Sequence, residues 1–454
     1  MTLDLLLTNG ELVFPDQGVM PGAVGVKDGK IAAILAPGVT LPAKETIDCQ
    51  GRWIMPGVID PHVHYGFGSP DTDFATETRN AALGGVTSVL SFYRTQDFRT
   101  AFDEMRDKAA AQACIDFGFH FGITSDLHVE TLDEASRRFG VSSYKLYLMY
   151  KGQAGLAMGF TDIDDGLLYT SLRETAKIPG GVLGVHCENV EVIPAFRDPL
   201  RRAGADSLQA WDQQSPAFLE AENVHRVCYF AAKTNCPVNI VHLSSREALD
   251  EVRRHRNTRG TAPIYVETCP HYLFVTNDAP AGPLLKVNPP VRYADDVEAM
   301  WEGVIDGSIT TVGTDHVPRK RSTKMKDIWS ASAGFPGTAT MLPILIHEGY
   351  HKRGVAIERI AAVASANSAK MYAMPDKGVL AVGKDADLIV VDPDLERTVD
   401  AATLESFSDY SPFEGMTLKG WPTLTILRGM KVAENGAITN EARAKPQGRY
   451  LSRL

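Results

Sequence analysis

Apolar and polar positions change rhythm twice along this chain. Up to about Arg52 the pattern is short β-type runs divided by turn signals: "LLLTNGELVF", "AVGVKDGKIAAIL" and "ETIDCQG". Asn9-Gly10 and Asp28-Gly29 are dipeptides that favour tight hairpin turns, because both central residues of such turns need positive φ. The tail repeats this texture in "KGVLAVGKDADLIVVDPD" and "LTILRGMKVAENGAI". Between the two ends, from Trp53 to about Pro375, continuous apolar runs alternate with longer amphipathic stretches. The eight runs are "WIMPGVID", "GVTSVLSF", "FGFHFGIT", "SSYKLYLM", "GVLGVHC", "PVNIVHLS", "PIYVETC" and "ITTVGTD". Helical stretches such as "FRTAFDEMRDKAAAQA" and "SREALDEVRRHRN" lie between them.

Strands that are apolar on both faces and alternate with helices imply a parallel sheet covered on both sides. Eight of them predict an α/β chain, a (β/α)8 barrel of the TIM type. An open doubly wound sheet is the competing topology, but no G-x-G-x-x-G follows an early strand. The predicted organisation is therefore residues 1–52 and 376–454 as two parts of one small β-sandwich domain, with the barrel over 53–375.

In such a barrel, functional residues sit where strands pass into loops. The first strand delivers His62 and His64 from "IMPGVIDPHVHYGFG", two imidazoles at i and i+2 and so on one face. The fourth carries Lys145, the fifth His186, the sixth His242, and the eighth ends at Asp315. Each alone has an ordinary explanation: a hydrogen-bonded core histidine, a helix-capping aspartate, a lysine reaching for water. Their arrival at one rim from separate strands favours a metal centre. Lys145 is the odd member, since an ammonium cannot ligate a metal and is costly to bury unpaired. Burial favours the neutral amine. A neutral amine can add carbon dioxide to form a carbamate, whose two oxygens could bridge two divalent cations.

Composition narrows the partners. The net charge of −10 argues against nucleic acid or an anionic membrane surface, both of which need a basic footprint. Hydrophobic residues at 44% and charged residues at 22% are ordinary for a soluble globular protein. Six scattered cysteines without a CxxC pair read as reduced thiols of a cytoplasmic protein. The start "MTLDLLLTNGELVF" lacks a basic leader, and no apolar run is long enough to span a bilayer.

The set His62, His64, Lys145, His186, His242 and Asp315 resembles the binuclear metal centre of the amidohydrolase superfamily. It is most similar to the cyclic amidohydrolases: hydantoinases, dihydropyrimidinases, allantoinases and dihydroorotases. The motifs "GVIDPHVH", "VHCEN", "ETCPHYL", "KVNPPVR" and "GTDHVP" carry the resemblance, in order, over nearly the whole chain. It implies two divalent ions, zinc or else manganese or cobalt, with Lys145 as N6-carboxylysine. His62, His64, Lys145 and Asp315 would hold one ion, and Lys145, His186 and His242 the other. It also implies a homotetramer or dimer.

The implied chemistry is opening of a cyclic amide or imide by a metal-bridging hydroxide, with Asp315 carrying the proton to the departing nitrogen. Tyr150 falls where hydantoinase-like members place an oxyanion-stabilising tyrosine. Asn288 in "KVNPPVR" matches a position that holds the ring's amide edge. Pro336 stands where dihydropyrimidinase-like members have an asparagine, and offers a carbonyl but no N–H. Dihydroorotases usually carry an arginine two residues after the second motif histidine; this chain has Gly66 there. Arg94 in "SFYRT" could supply a substitute guanidinium for an anionic substrate. "ETCPHYL" resembles allantoinases and "YKLYLMYKG" hydantoinases, so the resemblance favours a hydantoin or dihydropyrimidine ring, with allantoinase or dihydroorotase activity as the alternative. A non-catalytic dihydropyrimidinase-related interaction protein is a reading of another class, and the intact ligand set counts against it. The segments Tyr65–Asp73 and Lys151–Phe160 are expected to be mobile borders of the pocket. His120, His128, His225, His255, His347 and His351 are expected to be surface or helix residues without a role.

Overall fold

The structure, a computed structural model, describes residues 2–150, 155, 160, 163–256 and 262–454. Eight strands form one sheet in chain order: Val58–Val63, Val86–Tyr93, Asp116–Gly122, Ser143–Tyr147, Val182–His186, Val238–Ile240, Ile264–Thr268 and Thr311–Val312. Pairing is parallel along the run from the third strand to the eighth. Each strand overlaps one of the eight apolar runs. The result is a nearly closed (β/α)8 barrel. Helices Phe98–Ala110 and Arg246–Arg256 occupy two of the predicted amphipathic stretches.

Strands from both chain ends join in a second sheet of nine. Leu388–Thr398 pairs antiparallel with Trp53–Pro56, which lies parallel to Leu3–Phe14. Leu5, Leu7, Val24, Val26, Ile54, Leu388, Val390 and Ile426 form its core. The first apolar run therefore serves two sheets: Trp53–Pro56 belongs to this one and Val58–Val63 to the barrel.

The two hairpin dipeptides have different fates. Asp28-Gly29, with φ of 51° and 77°, turns the chain between Gly18–Lys27 and Lys30–Leu35 as expected. Asn9-Gly10 does not turn the chain. It is a bulge inside Leu3–Phe14, where the register to the neighbouring strand shifts. Asn9 takes the positive φ (53°) there, and a Cβ on Gly10 would stand 2.4 Å from Ile54 Cδ1. Close packing rather than chain reversal explains this glycine.

By its internal contacts the chain divides into two compact units. One comprises Met1–Leu90, Lys108–Gly118 and Pro336–Leu451; the other Ser91–Asp107, Phe119–Phe335 and Ser452–Leu454. All six cysteines are buried thiols. Among the described residues no helix is long and apolar enough to cross a membrane.

Candidate metal centre

In the first unit, His62 is fully buried near the end of its strand and His64 follows two residues later, with ring centres 5.3 Å apart. The His62 amide donates to Asp60 Oδ1 (3.1 Å), which fixes the strand end. The following loop was expected to be mobile from its glycines, but Asp73 ties it down. Its carboxylate accepts the amides of Gly66 (2.7 Å), Gly68 (2.9 Å) and Ser69 (2.8 Å).

In the second unit, Lys145, His186, His242 and Asp315 come together. Lys145 pairs in register with Gly184 and is 1% exposed. Its Nζ lies 3.4 Å from His242 Nε2, and the His186 and His242 rings meet edge to face with centroids 4.3 Å apart. Burial drives the Lys145 ammonium down to about 8, even though the charges of Asp315 and Glu267 act the other way. His242 and Asp315 both hold positive φ, 42° and 52°. Two non-glycine residues in the left-handed region, each just beyond a barrel strand, mark backbone strained to aim a side chain.

His186 has a partner that sequence reading missed. Its Nε2 donates to Glu188 Oε2 (2.7 Å), and Ser215 Oγ donates to Glu188 Oε1 (2.6 Å). Burial would raise the Glu188 carboxyl, but the hydrogen bonds and charges of His186 and its other neighbours outweigh it and hold the group below its usual range. With Nε2 so engaged, Nδ1 of His186 carries the lone pair, the tautomer a metal requires. Glu188 stands two residues after His186 in "VHCEN", on the same alternation, which is the signal that could have found it. Arg292 extends the chain of contacts, bonding Asp212 (2.7 Å), the Ser215 carbonyl (2.5 Å) and Ser244 Oγ (3.0 Å). Glu220, pushed up to about 7 by burial, accepts Ser244 N–H (2.9 Å) and Ser245 Oγ–H (2.6 Å) in the loop after His242. These partners lie far off in sequence, so no local pattern announces them.

Tyr150 lies three residues beyond the fourth strand, its ring centre 5.9 Å from that of Tyr147 and 5.3 Å from that of Phe160. The Arg94 guanidinium stands over Tyr147 (5.6 Å) and Phe160 (5.2 Å). Asn288 is half-buried in a clamped segment: Trp211 Nε1 donates to the Val287 carbonyl (2.9 Å) and the Tyr272 hydroxyl to that of Pro289. Pro336 lies in the first unit and lines a small cavity there with Thr340, Ser408 and Tyr410. The expected loop Lys151–Phe160 lies outside the described residues except for Gly155 and Phe160. His120, expected at the surface or on a helix, is instead 1% exposed in the third barrel strand, stacked on Phe92 and bonded to Ser143 Oγ.

A family model described as "Amidohydrolase family" matches residues 236–432. An L-hydantoinase from Paenarthrobacter aurescens is 33% identical, covering 96% of this chain and 96% of the relative. The chain belongs to the amidohydrolase family. As a cyclic amidohydrolase it is also similar to an allantoinase from Bacillus licheniformis, 32% identical over 97% of this chain and 98% of the relative. The solved structure of an L-hydantoinase (dihydropyrimidinase) from Arthrobacter aurescens superposes with a TM-score of 0.91 at 31% identity, covering 99% and 100% of the two chains.

This amidohydrolase is an enzyme with a divalent metal centre. The residues present fit such a group. A dry amine brought near neutrality, an imidazole whose second nitrogen is held by a carboxylate, and an aspartate give the nitrogen and oxygen donors that divalent ions of the zinc class prefer.

Proposed function

We propose that this enzyme hydrolyses a five- or six-membered cyclic amide or imide of the hydantoin or dihydropyrimidine type. The observation that carries this reading is Lys145, fully buried 3.4 Å from His242 and partly neutral near physiological pH. A neutral Nζ adds carbon dioxide, forming an N–C bond and releasing a proton. In this reading His62, His64, carboxylated Lys145 and Asp315 would hold one ion, and carboxylated Lys145, His186 and His242 the other. When bound, two such cations, zinc or else manganese or cobalt, acidify water and polarise a carbonyl.

The side chains do the rest. Asp315 takes the proton of the attacking water and delivers it to the ring nitrogen as the C–N bond breaks. The Tyr150 hydroxyl donates to the carbonyl oxygen as negative charge gathers there. Burial raises the Tyr150 pKa, which keeps that hydroxyl protonated through the working range. The Asn288 segment and the Pro336 carbonyl hold the amide edge of the ring. Arg94, over aromatic rings beside Tyr150, could supply a guanidinium where the ring carries an anionic substituent.

The reading includes a barrel within residues 53–375, of which Trp53–Pro56 joins the end-built domain from 1–52 and 376–454, a homo-oligomer and a cytoplasmic location. Allantoinase activity is the second reading, supported by the 32% identical relative of that name. The test is a hydrolysis panel of hydantoin, dihydrouracil, allantoin, dihydroorotate and a succinimide-type imide, with metal analysis and intact mass under native conditions. Turnover of hydantoin or dihydrouracil with bound metal is expected. Turnover of dihydroorotate alone overturns the ranking, and an active metal-loaded protein without the carbon dioxide adduct removes the carbamate.

A further inference from the structure

Two neighbouring helices of the second unit carry a convergence of donors that the hydrolytic centre does not use. Glu251 and His255 lie one turn apart on Arg246–Arg256 and so share a face. His225 on Ala217–Thr234 meets that face. Its Nδ1 is 3.2 Å from Glu251 Oε2 and 3.2 Å from His255 Nε2, and the two imidazole centres are 4.9 Å apart. One atom from each of the three residues falls within 4.8 Å of the other two.

Hydrogen bonds serve this triangle poorly. Nδ1 of a neutral imidazole is either a donor or an acceptor. It cannot donate to Glu251 and accept from His255 at once, so a single proton satisfies one contact at the expense of the other. A cation satisfies both. In a tetrahedral zinc site with ligands about 2.0–2.2 Å from the metal, ligand atoms stand roughly 3.4 Å apart. The two observed 3.2 Å spacings approach that value, and the third pair of ligand atoms lies within 4.8 Å. The other carboxylate oxygen of Glu251 is already held by Arg254 Nη1 (2.5 Å), which turns Oε2 toward the imidazoles.

We infer that His225, Glu251 and His255 form a further divalent-cation site, of the zinc, nickel or copper class, that cross-links the two helices. Two imidazole nitrogens and one carboxylate oxygen suit these borderline ions over magnesium or calcium. Three protein ligands leave a fourth position for water. The His225 side chain is 55% exposed, so the site exchanges with the medium and responds to free metal. Its occupation ties one helix to the next and stabilises the folded state by mass action. None of its residues belongs to the proposed hydrolytic centre, so it stands independently of the ring-opening reading.

The test uses purified holoenzyme, titrated with zinc and separately with nickel by calorimetry, with metal content measured after gel filtration. Wild type should bind one equivalent more than His225→Ala or His255→Ala. Loss of an outer-shell partner alone weakens metal sites roughly 10–100-fold, so loss of a direct ligand should cost at least about tenfold. Added zinc should raise the thermal midpoint of wild type and leave the variants unmoved, while hydrolytic activity without added metal stays the same in all. Equal stoichiometry and affinity in wild type and variants overturns the proposal, as does an equal thermal response. Should His225→Ala fold poorly, Glu251→Gln and His255→Ala carry the same comparison.

Discussion

Glu188 offers the sharpest test of how the centre is held. It accepts from His186 Nε2 at 2.7 Å and from Ser215 Oγ at 2.6 Å in a dry site. Glu188→Ala leaves both donors without their acceptor and frees His186 to change tautomer and rotate. A hydrogen bond to a charged group contributes about 1.5–3 kcal/mol, which corresponds to roughly 10–150-fold in an equilibrium constant. Glu188→Gln keeps the shape and one acceptor oxygen but removes the charge. Charge-assisted bonds are about twice as strong as neutral ones, so this variant should lose roughly 3–10-fold. The assay is metal affinity by competition with a chromogenic chelator, read beside kcat/KM. Circular dichroism and denaturant midpoints separate loss of fold from loss of positioning. The expected order is wild type, then Gln, then Ala, in both affinity and kcat/KM. An Ala variant with wild-type metal affinity would show that Glu188 orients nothing.

Tyr150→Phe should lower kcat by about 100-fold or more, the usual cost of one oxyanion donor, with KM little changed; equal kcat values refute the role. Lys377→Met should destabilise the first unit. Its Nζ is buried among Asp116 (2.7 Å), Asp385 (3.2 Å) and Asp387 (2.5 Å), and stripping the cation from such a cluster costs about 3–5 kcal/mol. An unmoved denaturant midpoint would contradict that. Lys286 gives a pH signature: burial brings its ammonium down to about 8 from 10.5, with the Trp211 ring centre 3.9 Å from Nζ. Between those values the unfolded chain binds more protons, so stability should rise as pH climbs from about 8 toward 10.5. Urea curves at stepped pH should show Lys286→Met flattening that rise; identical slopes would exclude it.

Much of the fold was legible because its signals are periodic. Continuous apolar runs alternating with amphipathic stretches mark strands covered on both faces, and each of the eight runs overlaps a barrel strand. Periodicity could not say that Trp53–Pro56 leaves the barrel for the other sheet, since both sheets want the same apolar residues. Nor could it tell a turn at Asp28-Gly29 from a bulge at Asn9-Gly10, because both need a residue at positive φ. His120 went astray for a related reason: a polar residue in a short apolar run looks exposed until Ser143 and Phe92 are seen beside it.

By itself, the order of residues determined which side chains could serve as ligands, and that each stands on a barrel strand or just past its end. Chemistry that depends on residue type, such as two imidazoles at i and i+2 or a lysine inside an apolar strand, is written locally. Tertiary structure decided what those groups become. Burial brings the Lys145 ammonium down to about 8, and contacts between residues dozens of positions apart tie Glu188, and through it His186, to Ser215 and on to Arg292. Solvation and long-range contact are properties of the assembled volume, and no stretch of sequence contains them.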